Sequence, residues 1–560
     1  MKIFLAQQNY HIGNFERNTQ KIISAIKLAK QQGGDLIVFS ELSVCGYAPR
    51  DFLEFEDFIN KSYEAIDIIK QHADTIGVLV GAPDRNPVRE GKDLFNAAYL
   101  LYEKEIKAIA HKTCLPNYDV FDEYRYFEPA YEWSVMEFKG KKLAVTICED
   151  IWNLGDNPLY RNCPMDEMMK QHPDLMINLS ASPFDYTHDE DRKATIKSNV
   201  TKYKLPLFYC NAIGSQTEVV FDGASLVFDA SGNLCGQLPM FEESVQSFTL
   251  NDDGSIEEPV IDPAGRMPEK ELEPISLEAH LNIKQVHDAI VLGIRDYFSK
   301  MGFTKAIIGS SGGIDSAVTV TLACTALGTE NVRAILMPSP YSTPHSVHDA
   351  EQLSLNLGNL YDIIPIENIY KSFLEELKPI FKSLPFNIAE ENIQSRSRGN
   401  LLMAIANKFG YILLNTSNKS ELATGYGTLY GDMAGGLAVL GDCYKLQVYA
   451  LANYINRDKA IIPNNIIIKP PSAELRHGQK DSDSLPDYEI LDKILYQYIE
   501  RTQGPKEIKA QGFDTALVDR ILKMVNINEY KRNQFCPIIR ISPKAFGVGR
   551  RIPIVGNYLS

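Results

Sequence analysis

Residues 252–274, DDGSIEEPVIDPAGRMPEKELEP, interrupt an otherwise patterned chain with eight acidic residues, two basic ones and four prolines. Such a stretch holds too little apolar surface to offset the entropy of ordering it, so it reads as a linker or surface crossover. It splits the 560 residues into two pieces of similar size. Each is long enough to bury a core of its own. The expected organisation is a domain over 1–251, the linker 252–274, and a second domain over 275–560.

Both pieces read as α/β. In the first, KIFLAQ, DLIVFSEL, IGVLVGAP, NAAYLLY, KLAVTICED, LMINLS and LPLFYCN are short apolar runs of strand type. Between the first two lies NTQKIISAIKLAKQQGG, with Ile22, Ile23, Ile26, Leu28 and Ala29 forming an amphipathic helix that a Gly pair stops. Alternating strands and helices favour a layered fold. The second piece opens with a helical stretch near 283–301. It continues through KAIIGSSGGIDSAVTVTLACTAL as strand, Gly-rich turn and helix, with RAILMPSP and GYILLNTSN as further strands. That pattern predicts a parallel sheet.

Charge and cysteine usage narrow the function. Lys plus Arg is 57 against 72 Asp plus Glu, a net charge of −15. This argues against a nucleic-acid or anionic-membrane binder, both of which need a positive surface, and leaves room for an anionic small substrate in a local basic pocket. No apolar run approaches the length of a membrane span, and the run in MKIFLAQQNY is too short for a signal-peptide core. The nine cysteines include no CxxC pair, which points to reduced thiols in a cytoplasmic setting. From Lys531 to Ser560 stand six basic residues and no acidic one, a solvated basic face or an electrostatic aid to an anionic ligand. HDEDRK at 188–193 is expected as a solvated loop. The Tyr and Phe residues of 118–131 are expected mostly in the core, Tyr118 excepted.

Two constellations carry chemistry. Gly309, Ser310, Ser311, Gly312, Gly313, Ile314, Asp315 and Ser316 lie between a strand and an apolar helix. Glycines let backbone amides approach an anion, and the helix start adds orphan amides and partial positive charge, so phosphate is the natural ligand. A Walker loop would end in Gly-Lys-Ser/Thr, which is absent, and GxGxxG is not matched. The plain alternative is a turn that only caps a helix. In the first half, Glu41, Lys112 and Cys148 each follow a strand, where α/β folds gather catalytic groups. A thiolate nucleophile, an ammonium that lowers the thiol pKa and a carboxylate base form a coherent set. Taken singly, they read as a core cysteine, a loop lysine and a helix-start charge.

These residues resemble known families. SGGIDS is similar to the pyrophosphate-binding loop of the ATP pyrophosphatase group, which implies that Asp315 holds magnesium. SELSVCGY, HKTCLPNY and TICEDIW resemble the nitrilase family over roughly residues 1–250. By that resemblance Glu41 is the base, Lys112 the oxyanion stabiliser and Cys148 the nucleophile. Together, with NIQSRSRGNLL, NTSNKSELATGYGTLYGDMAGG, DCYKLQVY, PPSAEL and EYKRNQF, the chain resembles the glutamine-dependent NAD synthetase family. The implied folds are a nitrilase-like α-β-β-α sandwich and a doubly wound parallel sheet of the adenine nucleotide α-hydrolase type. The implied substrates are glutamine, ATP and deamido-NAD, with Mg2+ on Asp315 and Glu421, and the implied assembly is a homo-oligomer, dimer or octamer. The implied ATP contacts are residues 309–316, Thr416 and Lys445. Those for deamido-NAD are Asn392, Glu421, Tyr426, Gly427, Thr428, Leu429 and Lys531. Tyr118 and Ser182 fall at glutamine positions. Six residues after Ser182 the family usually has Lys or Arg; this chain has His188, with Arg192 as an alternative cation. Another amidotransferase with the same loop, or a nucleotide-binding scaffold with a decayed glutaminase, stays open. Lys2 at position 2 argues against an N-terminal-cysteine glutaminase.

Overall fold

The computed structural model describes residues 1–154, 158–257 and 281–559. The chain divides into two compact units, Met1–Phe184 with His188–Glu269, and Asp185–Thr187 with Lys270–Ser560. Of the expected linker, 258–274 lies outside the described residues. In the remainder Ile256–Glu257 pairs as a short strand with Thr249 and Leu250.

The first unit is a sandwich of two sheets. Its elements in chain order are β1 (Lys2–Gln7), α1 (Phe15–Gln31), β2 (Leu36–Phe39), α2 (Glu56–Lys70), β3 (Gly77–Arg85), β4 (Leu94–Tyr102), β5 (Glu105–His111), β6 (Met136–Phe138), β7 (Lys141–Ile147), α3 (Pro164–Met168), β8 (Leu175–Ser180), α4 (His188–Tyr203), β9 (Leu207–Asn211), β10 (Ile213–Gln216), β11 (Val219–Asp222), β12 (Leu226–Phe228), β13 (Leu234–Gln237), β14 (Ser244–Leu250) and β15 (Ile256–Glu257). One sheet runs β15-β14-β1-β2-β3-β4-β5 and the other β13-β12-β9-β8-β7-β6. The strands at the centre of each, β1–β3 and β7–β9, pair in parallel.

Alternation along these strands builds the layers. Ile3 and Leu5 meet Leu143, Val145, Leu175 and Ile177 between the sheets. Phe4 and Ala6 turn outward to Ile22, Ile26, Ile66 and Ile69 of α1 and α2. On the far side, Ala144, Met176 and Leu207 pack on Ile196, Val200 and Tyr203 of α4. Strands covered on both faces read as continuous apolar runs, which is why they stand out in the sequence.

Two local expectations fail. HDEDRK is the first turn and a half of α4, not a loop, and its Arg192 is fully buried against Asp222. The helix escapes notice because two of its five buried residues, Arg192 and Asn199, are polar. In the aromatic stretch 118–131 only Phe127 is fully buried; Tyr124 and Tyr131 are exposed, and Phe121 and Tyr126 only lean on the core. This segment is irregular and lies on the surface, so its rings cover the core from outside.

The second unit holds α5 (Ile283–Met301), β16 (Ala306–Gly309), α6 (Ile314–Leu327), β17 (Val332–Leu336), α7 (Pro344–Leu357), β18 (Leu360–Ile363), α8 (Glu367–Phe381), α9 (Ile388–Phe409), β19 (Ile412–Asn415), α10 (Lys419–Thr424), β20 (Leu437–Ala438), α11 (Lys445–Ile455), α12 (Asn464–Ile468), α13 (Tyr488–Ile499), α14 (Pro505–Ala510), α15 (Thr515–Ile527) and α16 (Glu529–Arg532). Its sheet is parallel throughout, in the order β18-β17-β16-β19-β20. Sequence-consecutive strands run outward from β16 to one edge, and β19 starts the other half. The order therefore switches between β16 and β19, and ligands of open α/β sheets bind at the strand carboxyl ends beside such a switch. The Gly-rich turn follows β16 and Thr416 follows β19.

Candidate functional sites in two units

In the first unit the three strand-end residues converge. Glu41 follows β2, Lys112 follows β5, and Cys148 follows β7 in a tight turn, with φ of +44° at the cysteine. That conformation is costly for a residue with a Cβ and marks a site where the fold holds a side chain in place. Beside Glu41 the backbone of β3 comes so close that a Cβ on Gly81 would lie 2.4 Å from Leu42 N, so only glycine fits there.

Lys112 is fully buried, and its Nζ donates to Glu41 Oε1 at 2.7 Å and to Glu123 Oε1 and Oε2 at 2.8 and 2.9 Å. Asn96 Nδ2 donates to Glu41 Oε1 at 2.7 Å, the Ala181 amide to Glu41 Oε2 at 3.0 Å, and Tyr47 OH to Glu123 Oε1 at 2.7 Å. Burial works against the ammonium, but Glu123 and Glu41 outweigh it and hold the Lys112 pKa well above its ordinary value. Burial and then the charge of Glu41 push the Cys148 thiol up, with Lys112 opposing. The thiol therefore rests protonated beside a carboxylate able to take its proton. Glu123 is a residue the sequence reading missed. It lies in the irregular aromatic stretch, where no periodicity marks it.

Further polar and aromatic residues stand near the elbow. Glu149, next to the cysteine, is buried and accepts from Tyr118 OH at 2.9 Å and Tyr160 OH at 3.3 Å. Ser182 Oγ meets His188 Nε2 at 2.7 Å, and the His188 ring stacks on Trp152 at 4.9 Å. Arg192 does not stand in for the missing cation. Both of its terminal nitrogens donate to Asp222, at 3.0 and 2.8 Å, inside the core.

In the second unit a cavity of about 300 Å³ opens at the switch point. Gly309, Ser310, Ser311, Gly313, Ile314, Asp315 and Ser316 line it, with Thr416, Glu421, Tyr426 and Lys445. Gly312 lies behind, at φ +75°, and a Cβ there would sit 2.1 Å from Ser346 O. The start of α6 has no side-chain cap, and Ser310 Oγ is buried with no hydrogen-bond partner among the described residues. Both leave donors for an anion.

Asp315 Oδ2 accepts from Lys445 Nζ at 2.5 Å and Oδ1 from Asn418 Nδ2 at 2.8 Å. Asn418 also caps α10, accepting from the Glu421 amide at 2.9 Å, and so sets Glu421 beside this group, 3.7 Å from Lys445. Burial first, then Asp315, pushes the Glu421 pKa well up. Two crowded carboxylates, one on a phosphate-type loop and one from α10, suit a hard cation that also takes phosphate oxygens. Among the described residues no three His, Cys, Asp or Glu side chains are grouped to hold a metal unaided.

The other expected residues gather around one turn. Thr428 Oγ1 donates to Asn392 Oδ1 at 2.8 Å, Lys531 Nζ donates to the carbonyls of Gly425 and Gly427 at 2.7 and 2.9 Å, and Leu429 O accepts from Arg396 at 3.2 Å. Of the residues expected at deamido-NAD, only Glu421 and Tyr426 line the cavity itself. Arg398, Lys469 and Asp481 line it unannounced by the sequence reading. Burial lowers the Arg398 pKa to about 10.

The chain matches the carbon-nitrogen hydrolase family model over residues 2–254 and the NAD synthase model over 286–535. It is 42% identical to the glutamine-dependent NAD(+) synthetase of Synechocystis sp., covering 99% of this chain and 98% of that one. It is also 42% identical to the enzyme of the same name from Thermotoga maritima, over 100% and 99%. The solved structure of the Acinetobacter baumannii glutamine-dependent NAD+ synthetase in complex with ADP superposes with a TM-score of 0.77 at 36% identity, covering 99% and 98%. That from Cytophaga hutchinsonii gives 0.81 at 18% identity, over 100% and 98%, and speaks to the fold alone. No helix among the described residues is long and apolar enough to cross a membrane. With both halves matched in order and relatives alike over their full length, the chain belongs to the glutamine-dependent NAD(+) synthetase family.

Proposed function

We propose that the first unit releases ammonia from glutamine and that the second uses ATP to turn deamido-NAD into NAD. Cys148 Sγ attacks the side-chain amide carbon. Glu41 takes the thiol proton and passes it to the departing nitrogen, which leaves as ammonia, while Lys112 stabilises the oxyanion. Water deprotonated by Glu41 then cleaves the thioester to glutamate. Tyr118, Ser182 and His188 bind glutamine, a reading supported by their grouping around Glu149 and Trp152 at the elbow.

In the second unit the nicotinate carboxylate attacks the α-phosphorus of ATP and pyrophosphate leaves; ammonia then attacks the acyl carbon and AMP leaves. Residues 309–316, Thr416 and Lys445 hold ATP. Asn392, Glu421, Tyr426, Gly427, Thr428, Leu429 and Lys531 hold deamido-NAD. Asp315 and Glu421 are the residues that would hold Mg2+, which when bound neutralises phosphate charge. The nine cysteines all stand as free thiols, which supports a cytoplasmic setting. Family membership supports a homo-oligomer, dimer or octamer. Domain limits of 1–251 and 275–560 are proposed for the two activities.

One observation carries the reading: a buried Glu–Lys pair beside an elbow cysteine and a phosphate-type cavity on the same chain. The test is NAD formation from deamido-NAD and ATP with glutamine or with ammonium. Cys148→Ala is expected to lose only the glutamine-driven reaction, and Asp315→Ala both. Full glutamine use by Cys148→Ala sinks the first assignment, and failure of the wild type on deamido-NAD sinks the second.

A further inference from the structure

Asp150 lies two residues past the nucleophile and takes no part in the chemistry above. It is 3% exposed, yet its carboxylate is shared between two segments distant in sequence. Oδ2 accepts from the Ile147 amide at 3.0 Å, closing the turn that carries Cys148. Oδ1 accepts from the Thr113 and Cys114 amides, at 3.0 and 2.8 Å, the two residues directly after Lys112. We infer that Asp150 is a positioning residue of the glutaminase, a clamp that fixes the Lys112 segment against the Cys148 elbow.

The physical argument has three parts. The elbow needs support, because Cys148 sits at φ +44° and a non-glycine residue there relaxes unless its surroundings hold it. The three amides point into a buried volume, where an unsatisfied donor is costly, so the carboxylate is their required partner. The two tethered segments bear the nucleophile and the cation, and the oxyanion forms between them, where a shift of about 1 Å costs up to about 10²-fold in rate. Burial pushes the Asp150 pKa up to about 6 while the amides and Lys112 hold it down, so the clamp stays charged at neutral pH.

Asparagine keeps the shape and one acceptor but turns an N–H toward an N–H at one end. Asp150→Asn should lower kcat for glutamine-driven NAD formation about tenfold or more, with the glutamine KM within about threefold of wild type. The ammonium-driven rate and the far-UV circular dichroism should stay unchanged, and alkylation of Cys148 by iodoacetamide, followed as the mass adduct, should slow. Should Asp150→Asn fail to fold, Asp150→Glu decides. It keeps both acceptors but displaces them by one methylene, so kcat should fall by a smaller factor, again without a matching rise in KM. A folded variant whose kcat stays within about twofold, or whose whole loss lies in KM, overturns the clamp. The inference rests on Cys148 being the nucleophile. Cys148→Ala with full glutamine use would remove that basis, whereas full kcat in Asp150→Asn would remove the clamp alone.

Discussion

Each unit buries a lysine between two carboxylates, and the two groups differ in how closed they are. Lys112, Glu41 and Glu123 have side chains 0%, 0% and 5% exposed. Lys445 is 2% exposed, but Asp315 and Glu421 remain 17% and 18% open to the cavity. The closed group completes its hydrogen bonding from the protein alone, through Asn96, Tyr47 and the Ala181 amide. Its charges are fixed before substrate arrives, which suits moving a proton in a water-poor pocket. Both groups set one lysine against two carboxylates, but the open one also has Asp481 in its cavity wall and an uncapped helix start beside it. Under the proposed function its balance would come from ATP with Mg2+.

The largest expected effect breaks the closed group. Lys112→Met leaves Glu41 and Glu123 buried without their cation, which costs about 3–5 kcal/mol of stability for a buried pair stripped of one partner. Glutamine-driven NAD formation should vanish, and the ammonium-driven reaction should survive. Lys445→Met is the sharper half of the comparison. Partly solvated carboxylates are screened, so the loss in melting should be smaller, about 1–2 kcal/mol. Both routes to NAD should fall by about 10²-fold if, as proposed, the lysine faces the phosphates of ATP. Thermal melting of the two variants side by side decides the point. Equal destabilisation would mean that closure is not what separates the two groups.

What the sequence made legible follows the same division. The loop at 309–316 can be read locally, because its glycines, its carboxylate and its helix start are consecutive. The central strands of the first unit can be read because both of their faces are apolar. Lys112 had only a weak local signal, its place after a strand: taken singly it reads as a solvated loop lysine, and it was the resemblance that assigned it a role with Glu41 and Cys148. Glu123, Asp481 and Arg398 were missed, since each enters its site from an irregular segment or from a helix whose buried face mixes polar with apolar residues. Helix α4 was hidden for that last reason. Three-dimensional convergence of polar side chains leaves no period in the chain, whereas burial of apolar ones does.

The smallest expected effect probes how far the charge imbalance of the open unit reaches. Asp492 on α13 is fully buried, accepting from Ser420 Oγ at 2.5 Å and the Leu446 amide at 3.0 Å, directly behind Glu421 and Lys445. Burial raises its pKa to about 7, above the unfolded value of about 3.9. Between those values the folded chain keeps a proton that the unfolded chain releases, so stability falls as pH rises through that window. The slope is at most about 1.4 kcal/mol per pH unit. Asparagine reproduces the neutral acid: its carbonyl accepts from Leu446, and its amide donates to Ser420. Asp492→Asn should therefore flatten the decline in melting temperature between about pH 5 and 7 and close or reverse its deficit against wild type near pH 8. Parallel melting profiles for the two proteins would show that this carboxyl is ionised throughout the range, and that the surplus charge is confined to the cavity.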